Sequence, residues 1–218
     1  LEGEHLVIIG MCEALGIAIA SLDYRKAPEH PYPAGPEDCF AGTQWVFDNA
    51  DRLNIDAANI GIYGGSAGGC LALAVALMAR DRKGPRLKYM MPIYPMVDNS
   101  NTTPSSREIT DVGLWDRSVG IEAWDMYLAG QPADAYAAPA LATDLTGLPP
   151  AFIDVGELDM FRDEDFELAR RLNQAQVPTE FHVYPGAYHA SEVFAPDADL
   201  SKRIVATRLA ALRRFIDG

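Results

Sequence analysis

Ile60-Gly61-Ile62-Tyr63-Gly64-Gly65-Ser66-Ala67-Gly68-Gly69 reads as a short apolar strand entering a glycine-rich turn that holds one serine. An alanine- and leucine-rich segment follows at once, with helical character to about Arg80. Gly64, Ser66 and Gly68 fit G-x-S-x-G, the pattern of a nucleophile elbow. A serine at the apex of so tight a strand-to-helix turn occupies strained backbone, and side chains two residues to either side are expected to collide there. Glycine at 64 and 68 removes them and leaves the hydroxyl clear at the helix amino end. The same helix end offers unpaired backbone N–H groups, that of Ala67 among them, to a developing oxyanion. A glycine-rich turn between strand and helix can also cradle phosphate. Here Tyr63 and Ser66 stand where a G-x-G-x-x-G pattern needs glycine, and no G-K-[ST] follows, so neither phosphate motif is present.

Outward from this turn, short apolar runs alternate with amphipathic segments. Residues 1–15 carry Ile8, Met11, Cys12 and Leu15 on one helical face, stopped by Gly16, and 17–22 reads as a buried parallel strand. Prolines at 28, 31, 33 and 36 make 23–33 an ordered loop. A helix is predicted over about 37–51, a buried strand over 88–97 and a polar loop over 98–107. Trp115, Ile121, Trp124 and Tyr127 then recur at helical spacing in a region, about 99–136, that interrupts the alternation as an insertion. The alternation resumes with strands near 151–155 and 180–184 and helices at about 163–175 and near the end, the last striped by Val205, Leu209, Leu212, Phe215 and Ile216. The pattern predicts an α/β fold with a mainly parallel sheet, built as one domain over 1–218.

The 218 residues are 49% hydrophobic, which suffices for one substantial core. A net charge of −13 repels phosphate backbones and anionic lipid heads, so no nucleic-acid partner is expected. Cys12, Cys39 and Cys70 lie scattered in apolar surroundings and read as free thiols of a reducing, cytoplasmic setting, with neither disulfide nor metal spacing. The longest apolar run, 70–79, is too short to span a bilayer.

A serine hydroxyl needs a base, and the base an orienting acid. Functional residues of an open α/β sheet gather at the carboxyl ends of its strands. Of the four histidines, His5 falls in the first helix, His30 in the proline loop and His182 mid-strand, whereas His189 directly follows a strand. Asp154 falls within a strand, while Glu157 and Asp159 lie just past it, and both stay open as the acid. Asp163, Glu164 and Asp165 read as helix-capping and dipole-compensating residues. The resulting order, Ser66, then the acid, then His189, is that expected of α/β-hydrolases.

With these pieces in place, the chain resembles the hormone-sensitive-lipase-like bacterial carboxylesterases of the α/β-hydrolase superfamily. The likeness rests on Asp23-Tyr24-Arg25-Lys26-Ala27-Pro28-Glu29-His30-Pro31-Tyr32-Pro33, Gly64-Gly65-Ser66-Ala67-Gly68-Gly69, Gly156-Glu157-Leu158-Asp159-Met160-Phe161-Arg162-Asp163-Glu164 and Tyr184-Pro185-Gly186-Ala187-Tyr188-His189. The resemblance implies an α/β-hydrolase fold, a Ser66/Asp159/His189 triad with Asp159 as acid, and hydrolysis of short- to medium-chain esters without cofactor or metal. It also implies that residues 23–33 brace the site from outside the chemistry. Gly65 and Ala190 depart from the family pattern. The family's His-Gly-Gly-Gly oxyanion loop and first three strands are expected upstream of Leu1. One of those strands belongs between 17–22 and 59–63, so these 218 residues are expected to be a poor esterase alone. The competing expectation is a catalytically impaired small-molecule-binding scaffold of the same fold. The expected partner is a small ester, and homo-oligomerisation is left open.

Overall fold

The computed structural model describes residues 2–110 and 114–218, with side chains from residue 8 onward. Leu1, the His5 side chain and residues 111–113 of the expected insertion therefore lie outside the described residues. In chain order the elements are helices α1 (Glu2–Leu15), α2 (Ala34–Asp48) and α3 (Ala50–Leu53), strand β1 (Ile62–Gly65), helix α4 (Ala67–Asp81) and strand β2 (Met90–Ile93). Then come α5 (Pro104–Glu108), α6 (Arg117–Leu128), β3 (Ala151–Leu158), α7 (Arg162–Gln174), β4 (Thr179–Tyr188), α8 (Ser191–Phe194) and α9 (Asp199–Asp217). The four strands form a wholly parallel sheet in the order β1-β2-β3-β4, with Ile62 opposite Met90, Met90 opposite Ala151 and Ala151 opposite Thr179.

A parallel sheet must be covered on both faces, because its crossovers place helices there. On one face, Leu73 and Leu77 of α4 and Leu168 and Leu172 of α7 pack with Met90, Ala151 and Ile153. On the other, Met11 of α1 and Ala211 and Leu212 of α9 pack with Met91, Ile93 and Phe152. Helix α4 is buried without a break from Gly69 to Ala79. Its alanines let the backbone approach the sheet while Leu73, Leu77 and Met78 fill the space, each fully buried side chain contributing about 1.5–3 kcal/mol.

Residues 17–22 form no strand. Ile17, Ile19 and Leu22 are half-buried while Ala18 and Ala20 are exposed, so the run lies with one side on the core and not inside a sheet. Among the described residues no ladder joins it to β1; Ile17 and Ile19 pack beside Met11 and Tyr89, and Leu22 beside Cys39 and Leu71. A strand exists only through a hydrogen-bonding neighbour, which apolar composition cannot supply. The helix expected over 37–51 is offset to 34–48, and the buried strand over 88–97 contracts to β2. Residues 104–108, expected in a loop, form α5: Thr103 caps it by accepting from Ser106 N at 3.2 Å, and Pro104 occupies the first helical position. In α6, Trp124 is buried beside Cys70 and Met160, whereas Ile121 is exposed, and Trp115 precedes the helix.

The proline loop is tied down at both ends. Arg25 donates from its backbone N and side chain to Asp38 at 2.7–3.0 Å, and the Tyr32 hydroxyl donates to Asp134 at 2.7 Å. Tyr32 N also meets the Tyr127 carbonyl at the end of α6 at 2.7 Å, so residues 23–33 bridge α2 to the segment between β2 and β3. No described helix is long and apolar enough to cross a membrane.

Candidate active site

Each strand hands its next residue to one end of the sheet. Gly65 is followed by Ser66, Leu158 by Asp159 and Tyr188 by His189. Ser66 has φ 56° and ψ −119°, a backbone state that L-residues rarely adopt and that surrounding structure must impose. A Cβ on Gly64 would lie 2.2 Å from the Gly68 carbonyl oxygen, and one on Gly69 would lie 2.9 Å from Pro95 Cβ. Those two glycines allow the turn. Gly68 differs from the expectation: a Cβ there meets nothing within 4 Å, because the first turn of α4 faces open space at that point. At Gly65 a Cβ would come to 3.3 Å from the Tyr94 ring.

His189 Nε2 lies 3.0 Å from Ser66 Oγ, and His189 Nδ1 lies 2.7 Å from Asp159 Oδ2. Asp159 is buried, and its other oxygen accepts from Phe161 N at 3.0 Å, which fixes the carboxylate plane at the start of α7. The imidazole is ringed by Tyr94 at 4.8 Å, Phe161 at 5.1 Å and Trp115 at 6.2 Å between centroids. Ala67, the first residue of α4, has no acceptor within the helix for its N–H. A hydroxyl in contact with an imidazole, itself held by a buried carboxylate, can be deprotonated as it attacks a carbonyl carbon.

The other carboxylates fall elsewhere. Glu157, expected just past the strand, lies within β3 and accepts from Gly186 N at 2.9 Å. Asp154 is fully buried and takes Arg208 Nε and Nη2 at 2.7 and 2.9 Å. None of Asp163, Glu164 and Asp165 caps α7, whose preceding residue is Phe161. Asp163 instead accepts from Ser105 N at 2.7 Å, tying α7 to α5. Glu164 turns inward and takes the N–H groups of Val97 and Asp98 at 2.7 and 3.2 Å. Asp165 is buried, and neither of its oxygens meets a donor among the described residues. Burial pushes both of these carboxyls well above the usual range, against two backbone N–H groups at Glu164, and Glu164 and Asp159 push Asp165 further. All three do lie in the first turn of α7, as the dipole reading expects, but the capping part of that reading fails. The burial of Glu164 and Asp165 also goes unseen by it, because α7 presents its 164–165 edge to the core. His182 bonds Glu180 through Nε2 at 2.7 Å, away from Ser66. Cys39 and Cys70 are free and buried, and burial pushes the Cys39 thiol up to about 12. A cavity of about 570 Å³ lies at the amino ends of β2 and β3 among Arg80, Lys88 and Pro150; none of Ser66, Asp159 and His189 lines it.

A parallel sheet with a serine elbow after one strand and a carboxylate–imidazole pair after two others defines an α/β-hydrolase. A family model described as the alpha/beta hydrolase fold matches residues 1–193. The chain is 38% identical over 206 residues to the carboxylesterase NlhH of Mycobacterium tuberculosis, covering 91% of this chain and 64% of that protein. It is 34% identical over 204 residues to the esterase LipI of the same organism, covering 92% and 63%. Among solved structures it superposes on a bacterial heroin esterase with a TM-score of 0.94 at 37% identity, covering 96% of this chain and 68% of that one. The chain belongs to the hormone-sensitive-lipase-like bacterial carboxylesterase family of the α/β-hydrolases. It spans a little under two thirds of the length of the two M. tuberculosis relatives.

Proposed function

We propose that this chain carries the catalytic machinery of a serine carboxylesterase, with Ser66 as nucleophile, His189 as general base and Asp159 as its orienting acid. The observation that carries the reading is the continuous line from Ser66 Oγ through the imidazole to buried Asp159, at 3.0 and 2.7 Å. His189 takes the hydroxyl proton as Oγ attacks the ester carbonyl, and Asp159 holds the tautomer with Nδ1–H and stabilises the imidazolium. The Ala67 N–H faces the developing oxyanion. His189 returns the proton to the leaving alkoxide, and water then attacks the acyl-enzyme by the same relay in reverse. Every proton passes through side chains of this chain, so the reaction calls for no cofactor. The substrates are small uncharged esters of short to medium acyl chains. The uncharged rings of Tyr94, Trp115 and Phe161 around the imidazole suit such groups, and the region from Trp115 to Tyr127 helps wall the acyl site.

Labelling the chain with a fluorophosphonate and mapping the modified peptide tests this reading. Modification at Ser66, lost in His189→Ala, is the expected result. A folded chain in which Ser66 stays unmodified overturns it and favours a binding scaffold.

A further inference from the structure

The remaining strand also hands a residue to this end of the sheet: Ile93 of β2 is followed by Tyr94. Tyr94 takes no part in the reaction proposed above, yet it is held as tightly as the residues that do. Its φ is 35°, in the left-handed region, and its N–H donates to the Asp154 carbonyl at 2.7 Å. Its ring meets the His189 imidazole edge-on at 4.8 Å. Its hydroxyl donates to Glu192 Oε1 at 2.7 Å.

Glu192 sits three residues after His189, in the four-residue helix α8. The same Oε1 accepts from Arg208 Nη1 at 2.6 Å, and the rest of that guanidinium is clamped by Asp154 on β3. The guanidinium also lies over the Tyr94 ring at 5.1 Å. Asp154, Glu192 and Arg208 are all buried. One carboxylate oxygen in the turn that carries His189 is therefore fastened to β2 through Tyr94, and to β3 and α9 through Arg208.

His189 needs such a fastening. It lies beyond the last residue of β4, Ala190 turns left-handed at φ 56°, and α8 is a single turn, too short to hold its own position. Apolar packing tolerates sliding, whereas charged hydrogen bonds at these distances are directional. Buried ion pairs add little net stability over apolar groups of similar shape, so geometry is the better account of this cluster.

Taking His189 as the base of the reaction proposed above, we propose that Glu192 and Arg208 are positioning residues, with Tyr94 as the strut, that hold the imidazole over Ser66. Misplacing a catalytic group by about 1 Å can cost on the order of 10²-fold in rate.

The test uses Glu192→Leu, which removes the shared acceptor, Glu192→Gln, which keeps an oxygen there, and Tyr94→Phe, which deletes one hydroxyl. Two readouts apply: kcat and KM on p-nitrophenyl acetate, and the downfield proton NMR resonance of the His189 Nδ1–H, assigned by its loss in His189→Gln. Expected for Glu192→Leu is a fall in kcat of about 10- to 100-fold with KM little changed, and a shifted or broadened resonance. Glu192→Gln should recover kcat to within about threefold, and Tyr94→Phe should fall between. Wild-type kcat and an unmoved resonance in folded Glu192→Leu overturn the proposal, as does equal loss in Gln and Leu. If Glu192→Leu does not fold, Tyr94→Phe decides. Lowered kcat at an unchanged melting temperature supports the proposal, and wild-type kcat overturns it. If the unaltered chain hydrolyses no ester, the functional reading fails separately, and the resonance still decides this one.

Discussion

Gly64 and Gly68 meet across the elbow so closely that a Cβ on Gly64 would fall 2.2 Å from the Gly68 carbonyl oxygen. That atom is backbone and cannot swing away, so Gly64→Ala must open the turn that aims Ser66. The substitution is expected to cost about 1–3 kcal/mol in urea unfolding and to abolish fluorophosphonate labelling of Ser66. Gly68→Ala, whose Cβ meets nothing within 4 Å, should leave the free energy of unfolding unchanged or raise it, by up to about 1 kcal/mol. Equal damage from both substitutions would contradict this account of the elbow.

In the mechanism proposed above the three groups act as a unit, so single losses should be nearly as severe as combined ones. Ser66→Ala, His189→Ala and Asp159→Asn are each expected to lower ester hydrolysis by about 10⁴-fold, judged by kcat/KM in a chain that hydrolyses the ester. The double variant Ser66→Ala/His189→Ala should fall little further. Near-normal turnover in any single variant would remove the mechanism.

Asp165 places an ionisable group in the core with no donor for either oxygen among the described residues. Burial raises its titration in the folded state well above that of the unfolded chain. Its favourable contribution is therefore complete below the unfolded-state value of about 3.9 and is lost as pH rises through the folded-state value. Asp165→Asn cannot ionise. It should stabilise the protein by about 1–3 kcal/mol near pH 7 and make little difference near pH 4, read from urea unfolding at both. Some slope should remain, because Glu164 is shifted in the same direction. A constant difference across that range would show that Asp165 titrates normally.

Tyr32 donates its hydroxyl to Asp134, whose Oδ1 also takes the N–H groups of Tyr136 and Ala137. This links the proline loop to the chain leading into β3. Tyr32→Phe should lower stability by about 1–2 kcal/mol in thermal or urea unfolding. It should leave the rate of Ser66 labelling nearly unchanged, since the bond lies outside the chemistry. A large loss of labelling at full stability would give the loop a direct part in the site.

Much of the candidate site is legible in the amino-acid sequence. The elbow is local: four glycines around one serine, between a strand and a helix, leave few backbone solutions. Ser66, Asp159 and His189 were marked by their places just past apolar runs, with the family resemblance choosing Asp159 over Glu157. Residues 17–22 misled because apolar content reports burial, whereas a strand also needs a neighbour, and β1 pairs with β2 on its other side. Thr103-Pro104 was a legible helix start hidden inside a polar run.

Arg208 could not be found this way. An arginine in a helix striped by Val205, Leu209 and Leu212 reads as solvated, yet Val205 is exposed and Arg208 is buried, because the inward face of α9 is centred on Ile204, Arg208 and Ala211. Its partners, Asp154 and Glu192, lie 54 and 16 residues away. Local backbone preference and hydrophobic period act over a few residues and were sufficient for the elbow, most of the longer helices and the presence of the four strands, but not for α5 or for where each strand ends. Which face of α9 meets the sheet, and which buried carboxylate receives a charge, depends on how the layers dock, and only the tertiary structure decided it.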